Sequence, residues 1–154
     1  MEVFNKKSKG FTLIELLVVI AIIGILATIV LVSLNTARQK ARDTKRLGDL
    51  RQVALALEMY YDDNTKYPGG SEASGCDDWA TMKTAIETGG YMTVVPSDPV
   101  NSGTLVYAFE SDEQSYVLRA QLENTNNPAF DVDVDGTALS CDCTDANDYY
   151  CIKP

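Results

Sequence analysis

From Phe11 to Leu34 the chain runs through twenty-four residues, FTLIELLVVIAIIGILATIVLVSL, in which Glu15 is the only charge. At about 1.5 Å per residue this is about 36 Å of helix, enough to cross a hydrocarbon core of about 30 Å. A secretory signal has a shorter apolar stretch followed by an Ala-x-Ala-like cleavage site, and neither is present. Lys6, Lys7 and Lys9 precede the run. The positive-inside rule keeps that end in the cytoplasm and puts everything after Leu34 on the other side. Glu15 is costly in such a span, by about 2.5–3.5 kcal/mol at the bilayer centre and less near an interface. The residues alone leave two readings open. The carboxylate snorkels to the headgroups or is protonated, with no partner, or it meets a positive charge brought by another subunit.

Beyond the run, Ala37, Ala41, Thr44, Leu47, Leu50, Ala54, Leu57 and Tyr61 recur at spacings of three and four, which predicts one buried helical stripe with charged residues opposite it. No proline follows before Pro68, and Asp62, Asp63 and Asn64 are plausible terminators. The expectation is one helix from about Phe11 to about Tyr61, apolar in its first half and the spine of a globular head in its second. Two helices hinged near Ser33-Leu34-Asn35 are the alternative. The basic stretch from Arg38 to Arg51 reads as a solvated helix face or as a contact for anionic lipid headgroups.

The net charge of −9 is unevenly spread: residues 62–154 hold four basic and seventeen acidic side chains. Nucleic-acid binding through that part would oppose phosphate repulsion and is not expected. There Asp77 or Asp78 caps a short helix with Trp79, Met82 and Ile86 on one face and Gly89-Gly90 at its end. Thr104–Glu110 and Ser115–Leu122 alternate as strands joined at 111–114, and a third short strand is expected around Tyr149–Ile152. The fold class is α+β: a long N-terminal helix, membrane half plus amphipathic half, against a small antiparallel sheet.

All four cysteines, Cys76, Cys141, Cys143 and Cys151, lie in this exported part and imply two disulfides. Three connectivities are possible; Cys143 with Cys151 and Cys76 with Cys141 is the expected one. Asp131-Val132-Asp133-Val134-Asp135-Gly136 spaces three carboxylates and a turn as a calcium loop does, with Asp142 at the twelfth position. Helical flanks are missing, so an EF-hand proper is not expected. The other reading is an acidic, solvated turn stapled by disulfides.

Lys9-Gly10-Phe11-Thr12-Leu13-Ile14-Glu15, followed by the apolar run, resembles the prepilin signal of type IV pilins and type II secretion pseudopilins. Tyr60-Tyr61-Asp62-Asp63-Asn64-Thr65-Lys66-Tyr67-Pro68 and Pro96-Ser97-Asp98-Pro99 are similar to stretches of major pseudopilins, although Val100 stands where a tryptophan often follows. The resemblance implies cleavage by prepilin peptidase between Gly10 and Phe11, N-methylation of Phe11, and pairing of Glu15 with the Phe11 ammonium of a neighbouring subunit. It implies four segments: a leader at 1–10, a transmembrane and filament-core helix at 11–34, the amphipathic half of that helix at 35–62, and a disulfide-bonded head at 63–154. It also supports calcium at Asp131, Asp133, Asp135 and Asp142. Many relatives have proline at the position of Val32, so this helix is expected to be more continuous.

The implied function is a structural subunit of a type IV pilus-like filament, a homopolymer made by filament assembly machinery from a precursor in the bacterial inner membrane with its head outside. The alternatives are a pseudopilin of a type II secretion or competence system, and a membrane-tethered calcium-binding domain that does not polymerise. An enzyme is not expected, since the chain has no histidine, no nucleophile beside a base motif and no phosphate-binding glycine loop.

Overall fold

The computed structural model describes residues 10–69 and 76–154; Lys6, Lys7 and Lys9 lie outside the described residues. Helix α1 runs unbroken from Leu13 to Asn64, through Gly24 and through Ser33-Leu34-Asn35. Its end is set by local hydrogen bonds. Asn64 Nδ2 donates to Tyr60 O at 2.9 Å, and Thr65, at a left-handed φ of 58°, donates its N–H to Tyr61 O at 2.7 Å. This closing turn carries the helix three residues past Tyr61.

The chain forms two compact units, one up to Arg38 and one from Gln39 to Pro154. In the first, every described residue is exposed, including the apolar side chains from Leu13 to Leu34. By length and composition this helix can cross a membrane. The second unit has its own core. Leu50, Val53, Ala56 and Leu57 of α1 meet Met82 and Ile86 of α2 (Trp79–Thr88) and Phe109, Tyr116, Leu118, Ala120 and Leu122 of the sheet region. The sheet is antiparallel in the order β1 (Ala108–Ser111), β2 (Tyr116–Gln121), β5 (Tyr149–Ile152), with Phe109 opposite Leu118 and Ala120 opposite Tyr150. A two-stranded ladder, β3 (Thr137–Ala138) with β4 (Cys141–Asp142), lies between β2 and β5 in sequence.

The first strand is shorter than its alternation suggests. Gly103, at φ +60°, and a bridge between Ser102 and Leu105 turn the chain, so pairing with β2 begins only at Ala108. All four residues of β1 are buried, because the sheet is covered on both faces. Phe109 and Leu118 face the helices. Ala108 and Val117 face a second, smaller core built on Cys76, Cys141, Cys143 and Cys151. The disulfides join Cys76 to Cys141 and Cys143 to Cys151.

The buried stripe of α1 differs from the sequence reading. Ala41 and Thr44 are exposed, whereas Asp43, Arg46 and Asp49 are buried. The basic stretch is therefore not wholly a solvated face: Arg46 is 0% exposed. Its guanidinium bridges Asp98 (Nε to Oδ2 2.6 Å, Nη2 to Oδ1 3.1 Å), Asp43 Oδ1 at 2.8 Å and Glu123 Oε1 at 2.8 Å. Arg42 forks onto the same Glu123. Asp43 also accepts from the N–H groups of Glu123 and Asn124, both at 2.9 Å, and Tyr107 OH donates to Asp49 at 2.8 Å. Charge on this face is stable in a dry place because each group meets opposite charge or a hydrogen bond.

Asp98 belongs to the Pro-x-Asp-Pro turn, where it also accepts from Val100 N at 2.8 Å, so that turn fastens the head to α1. The hydrogen bond from Arg42 does most to hold the Glu123 carboxyl at about 2, burial opposes it, and Arg46 adds to it. An unfolded glutamate titrates near about 4.3. The stabilisation is therefore complete above about pH 4.3 and is lost as pH falls towards about 2. Arg46→Met should lower the stability of the head by about 3–5 kcal/mol, because it removes the buried cation that Asp43, Asp98 and Glu123 share. Denaturation of the detergent-solubilised chain measures this, and the acid-side loss of stability should shrink in the variant.

Candidate functional site

Two sets of residues carry chemistry that the core does not use. The first is the start of α1. Gly10 and Phe11 are exposed and precede the helix, Phe11 at 79%. Glu15 lies in the first turn, but its carboxylate is not idle. Its Oε2 accepts from the Thr12 N–H at 2.8 Å and from the Thr12 hydroxyl at 2.6 Å, while the same hydroxyl accepts from the Glu15 N–H at 3.2 Å. This is a reciprocal capping box, formed by Thr12-x-x-Glu15. A carboxylate at a helix N-terminus is also favoured by the helix dipole. Neither open reading of Glu15 included this third partner, Thr12, although the Thr-x-x-Glu spacing was legible in the sequence. Both hydrogen bonds use Oε2, and among the described residues no donor meets Oε1.

The second set lies in the loops before β5. Asp133, Asp135 and Asp145 each bring a carboxylate oxygen within 4.8 Å of the others. Asp131 sits in the preceding 3₁₀ turn Pro128–Val132, which Asn127 caps through Ala129 N at 3.1 Å. It is not one of the three, although its charge bears on Asp145. Asp142, the twelfth position of the loop, is turned elsewhere. Its Oδ1 accepts from the N–H and hydroxyl of Thr144 at 3.0 and 2.8 Å, and its Oδ2 accepts from Asn147 Nδ2 at 2.8 Å. Asp142 thus folds the turn Asp145–Asn147 that presents Asp145, and Asp145 takes the place expected of Asp142. Only contact between a loop and a later turn brings Asp145 in, and linear spacing cannot show that.

Burial above all, with the charges of Asp145 and Asp135 behind it, pushes the Asp133 carboxyl up to about 6. Loss of surrounding water and then the charge of Asp135 raise Asp145 as well. Asp133 Oδ2 accepts from Cys151 N at 2.9 Å, whereas its Oδ1 is buried with no hydrogen-bond partner among the described residues. An oxygen left bare inside a like-charged group fits a hard cation, and the donor set is the carboxylate oxygen that calcium prefers.

The family profile described as the prokaryotic N-terminal methylation motif matches residues 5–31. The type II secretion system core protein G of Aeromonas hydrophila is 37% identical over 101 residues, which cover 62% of this chain and 69% of that protein. The chain belongs to the pilin and pseudopilin family. The core protein G of Klebsiella pneumoniae is 35% identical over 103 residues, covering 63% of this chain and 72% of the relative. The type IV wide pilus major component PilA4 of Thermus thermophilus is 46% identical over 68 residues, covering 44% and 52%. No solved structure matches the chain. The long N-terminal helix with its small antiparallel sheet is the pilin-like α+β architecture that the prepilin-type signal implies.

Without a cation, ionised Asp133 burdens the folded state. Its folded value of about 6 lies above the unfolded value of about 3.9, so the head loses stability as pH rises through that window. Asp133→Asn should therefore melt higher than the native chain in chelator at pH 7.5, by a few degrees. The two should melt alike near pH 4; thermal scans at both pH values measure the difference.

Proposed function

We propose that this pilin-family chain is a structural subunit of a type IV pilus-like filament and has no catalytic role. Its precursor is held in the inner membrane by residues 11–34, with its head outside the cytoplasm. Prepilin peptidase cuts between Gly10 and Phe11, removes the leader 1–10, and leaves Phe11 as an N-methylated terminus. The observation that carries this reading is the exposed apolar helix that begins with a capped Glu15 directly after the exposed Gly10-Phe11 pair.

In lipid, Thr12 satisfies Glu15 within its own helix. When the helix leaves lipid for the filament core, Glu15 meets the Phe11 ammonium of a neighbouring copy. Opposite charge at hydrogen-bonding range offsets the desolvation of both groups and fixes the axial register between subunits. Residues 35–62 continue the helix as the spine of the disulfide-bonded head, 63–154. The filament assembly machinery supplies the remaining partners.

The matched stretch covers a larger share of core protein G in Aeromonas and Klebsiella than of the Thermus pilin. This favours a short pseudopilus of a secretion system over a long surface pilus. Electron microscopy of sheared surface material distinguishes the two: a pseudopilin leaves no long fibres.

Asp133, Asp135 and Asp145 form a calcium site in this reading. The ion would neutralise three converging carboxylates and give the bare oxygen of Asp133 a ligand, holding the head in one conformation. Calorimetric titration and a calcium-dependent rise in melting temperature test it, and their absence would remove calcium from the account. Glu15→Ala should leave membrane insertion intact, as judged by fractionation, and reduce at least tenfold the yield of filaments assembled from the purified chain, as judged by pelleting. Normal filaments from that variant would refute the docking role.

A further inference from the structure

The acidic loop hangs on backbone that one disulfide ties together. At its start, Val134 N–H donates to Cys151 O at 3.1 Å and Cys151 N–H donates to Asp133 Oδ2 at 2.9 Å. At its end, Cys143 N–H donates to Gly136 O at 2.7 Å. The two anchors of residues 133–136 are thus the two halves of the Cys143–Cys151 bond, whose residues are both 0% exposed. The third carboxylate, Asp145, lies inside the eight-residue separation that this bond closes. Every oxygen donor of the cluster is therefore placed relative to one covalent link.

We propose that the Cys143–Cys151 disulfide is the positioning element of a divalent-cation site at Asp133, Asp135 and Asp145, and that it sets the affinity of that site. This inference rests on the calcium reading above. Three carboxylates within 4.8 Å repel one another, and hydrogen bonds alone allow the anchors to separate. With the anchors linked, the oxygens stay gathered before the cation arrives, so binding no longer has to order the loop. The coupling is reciprocal: whatever factor the bond adds to cation affinity, the cation adds to the stability of the bond. Cys76–Cys141 provides the contrast. It joins β4 to a residue 65 positions away; Cys141 pairs with Ala138 and the Cys76 N–H donates to Glu110 Oε2 at 3.0 Å, so neither half anchors residues 133–136.

The test uses the full chain in detergent, stripped with chelator and titrated calorimetrically with calcium chloride. Cys143→Ser with Cys151→Ser should weaken binding about 10–100-fold, the range seen when groups that orient metal ligands are removed. Cys76→Ser with Cys141→Ser should bind close to the native chain. A second measurement needs no variant. In a dithiothreitol redox buffer, the dithiol gives two electrons and two protons to a disulfide, closes its own ring, and leaves two cysteine thiols. Saturating calcium should shift Cys143–Cys151 towards the oxidised form by the same 10–100-fold and leave Cys76–Cys141 unmoved, as read by alkylation and mass spectrometry. If the native chain binds calcium but neither affinity nor redox ratio changes, the positioning role is overturned and the cation reading survives. If the native chain binds no calcium, both are overturned.

Discussion

Twenty-four consecutive residues from Phe11 to Leu34, all exposed and with a single charge among them, set the terms for the rest of this molecule. Apolar surface on that scale is not stable in water, and none of the described residues covers it. Lipid or other copies of the chain must do so. Both coverings exclude water, and Glu15 must be tolerable in both. The Thr12 capping box accounts for the first state: a carboxylate that accepts two hydrogen bonds at a positive helix end costs less to keep in the interface. In the proposed filament the second state needs a cation, and the N-terminus left by the proposed cleavage would supply it.

The head solves a different problem, which is to hold an acidic fold to a helix rich in arginine. Arg46 is the centre of that solution. It gathers Asp43 from its own helix, Asp98 from the Pro-x-Asp-Pro turn and Glu123 from the end of the second strand. Partners 52 and 77 residues away converge on one guanidinium, so the cluster locks register between α1 and the head in a way that apolar packing alone would not. The Pro-x-Asp-Pro turn, similar to one in major pseudopilins, has a physical reason here: its aspartate is the counter-ion of the buried arginine.

These same residues mark where sequence reading succeeds and where it fails. The apolar run, the short helix at Trp79, the hairpin and the third strand at Tyr149 were legible because each depends on local periodicity or turn chemistry. The stretch from Arg38 to Arg51 reads from sequence as a solvated face or a lipid contact, because periodicity treats charge as exposed and cannot see a carboxylate arriving from Glu123. The alternation from Thr104 predicts a longer strand than forms, because it continues through residues that a bridge and a left-handed glycine turn away. Of the four aspartates named for a cation, Asp133 and Asp135 stand in the carboxylate cluster, and Asp145 is its third member. The Asp142 carboxylate is instead bonded to Thr144 and Asn147, in a turn that no linear pattern reveals.

The central claim is that Glu15 exchanges a partner within its own helix for one on another copy. The most direct measurement is an electron cryomicroscopy reconstruction of filaments assembled from the native chain, resolved well enough to place the N-terminus. The account predicts the Phe11 amine of one subunit at hydrogen-bonding distance, about 3 Å, from the Glu15 carboxylate of its neighbour. A filament in which Glu15 remains bound only to its own Thr12, with every Phe11 amine distant from it, would contradict the account.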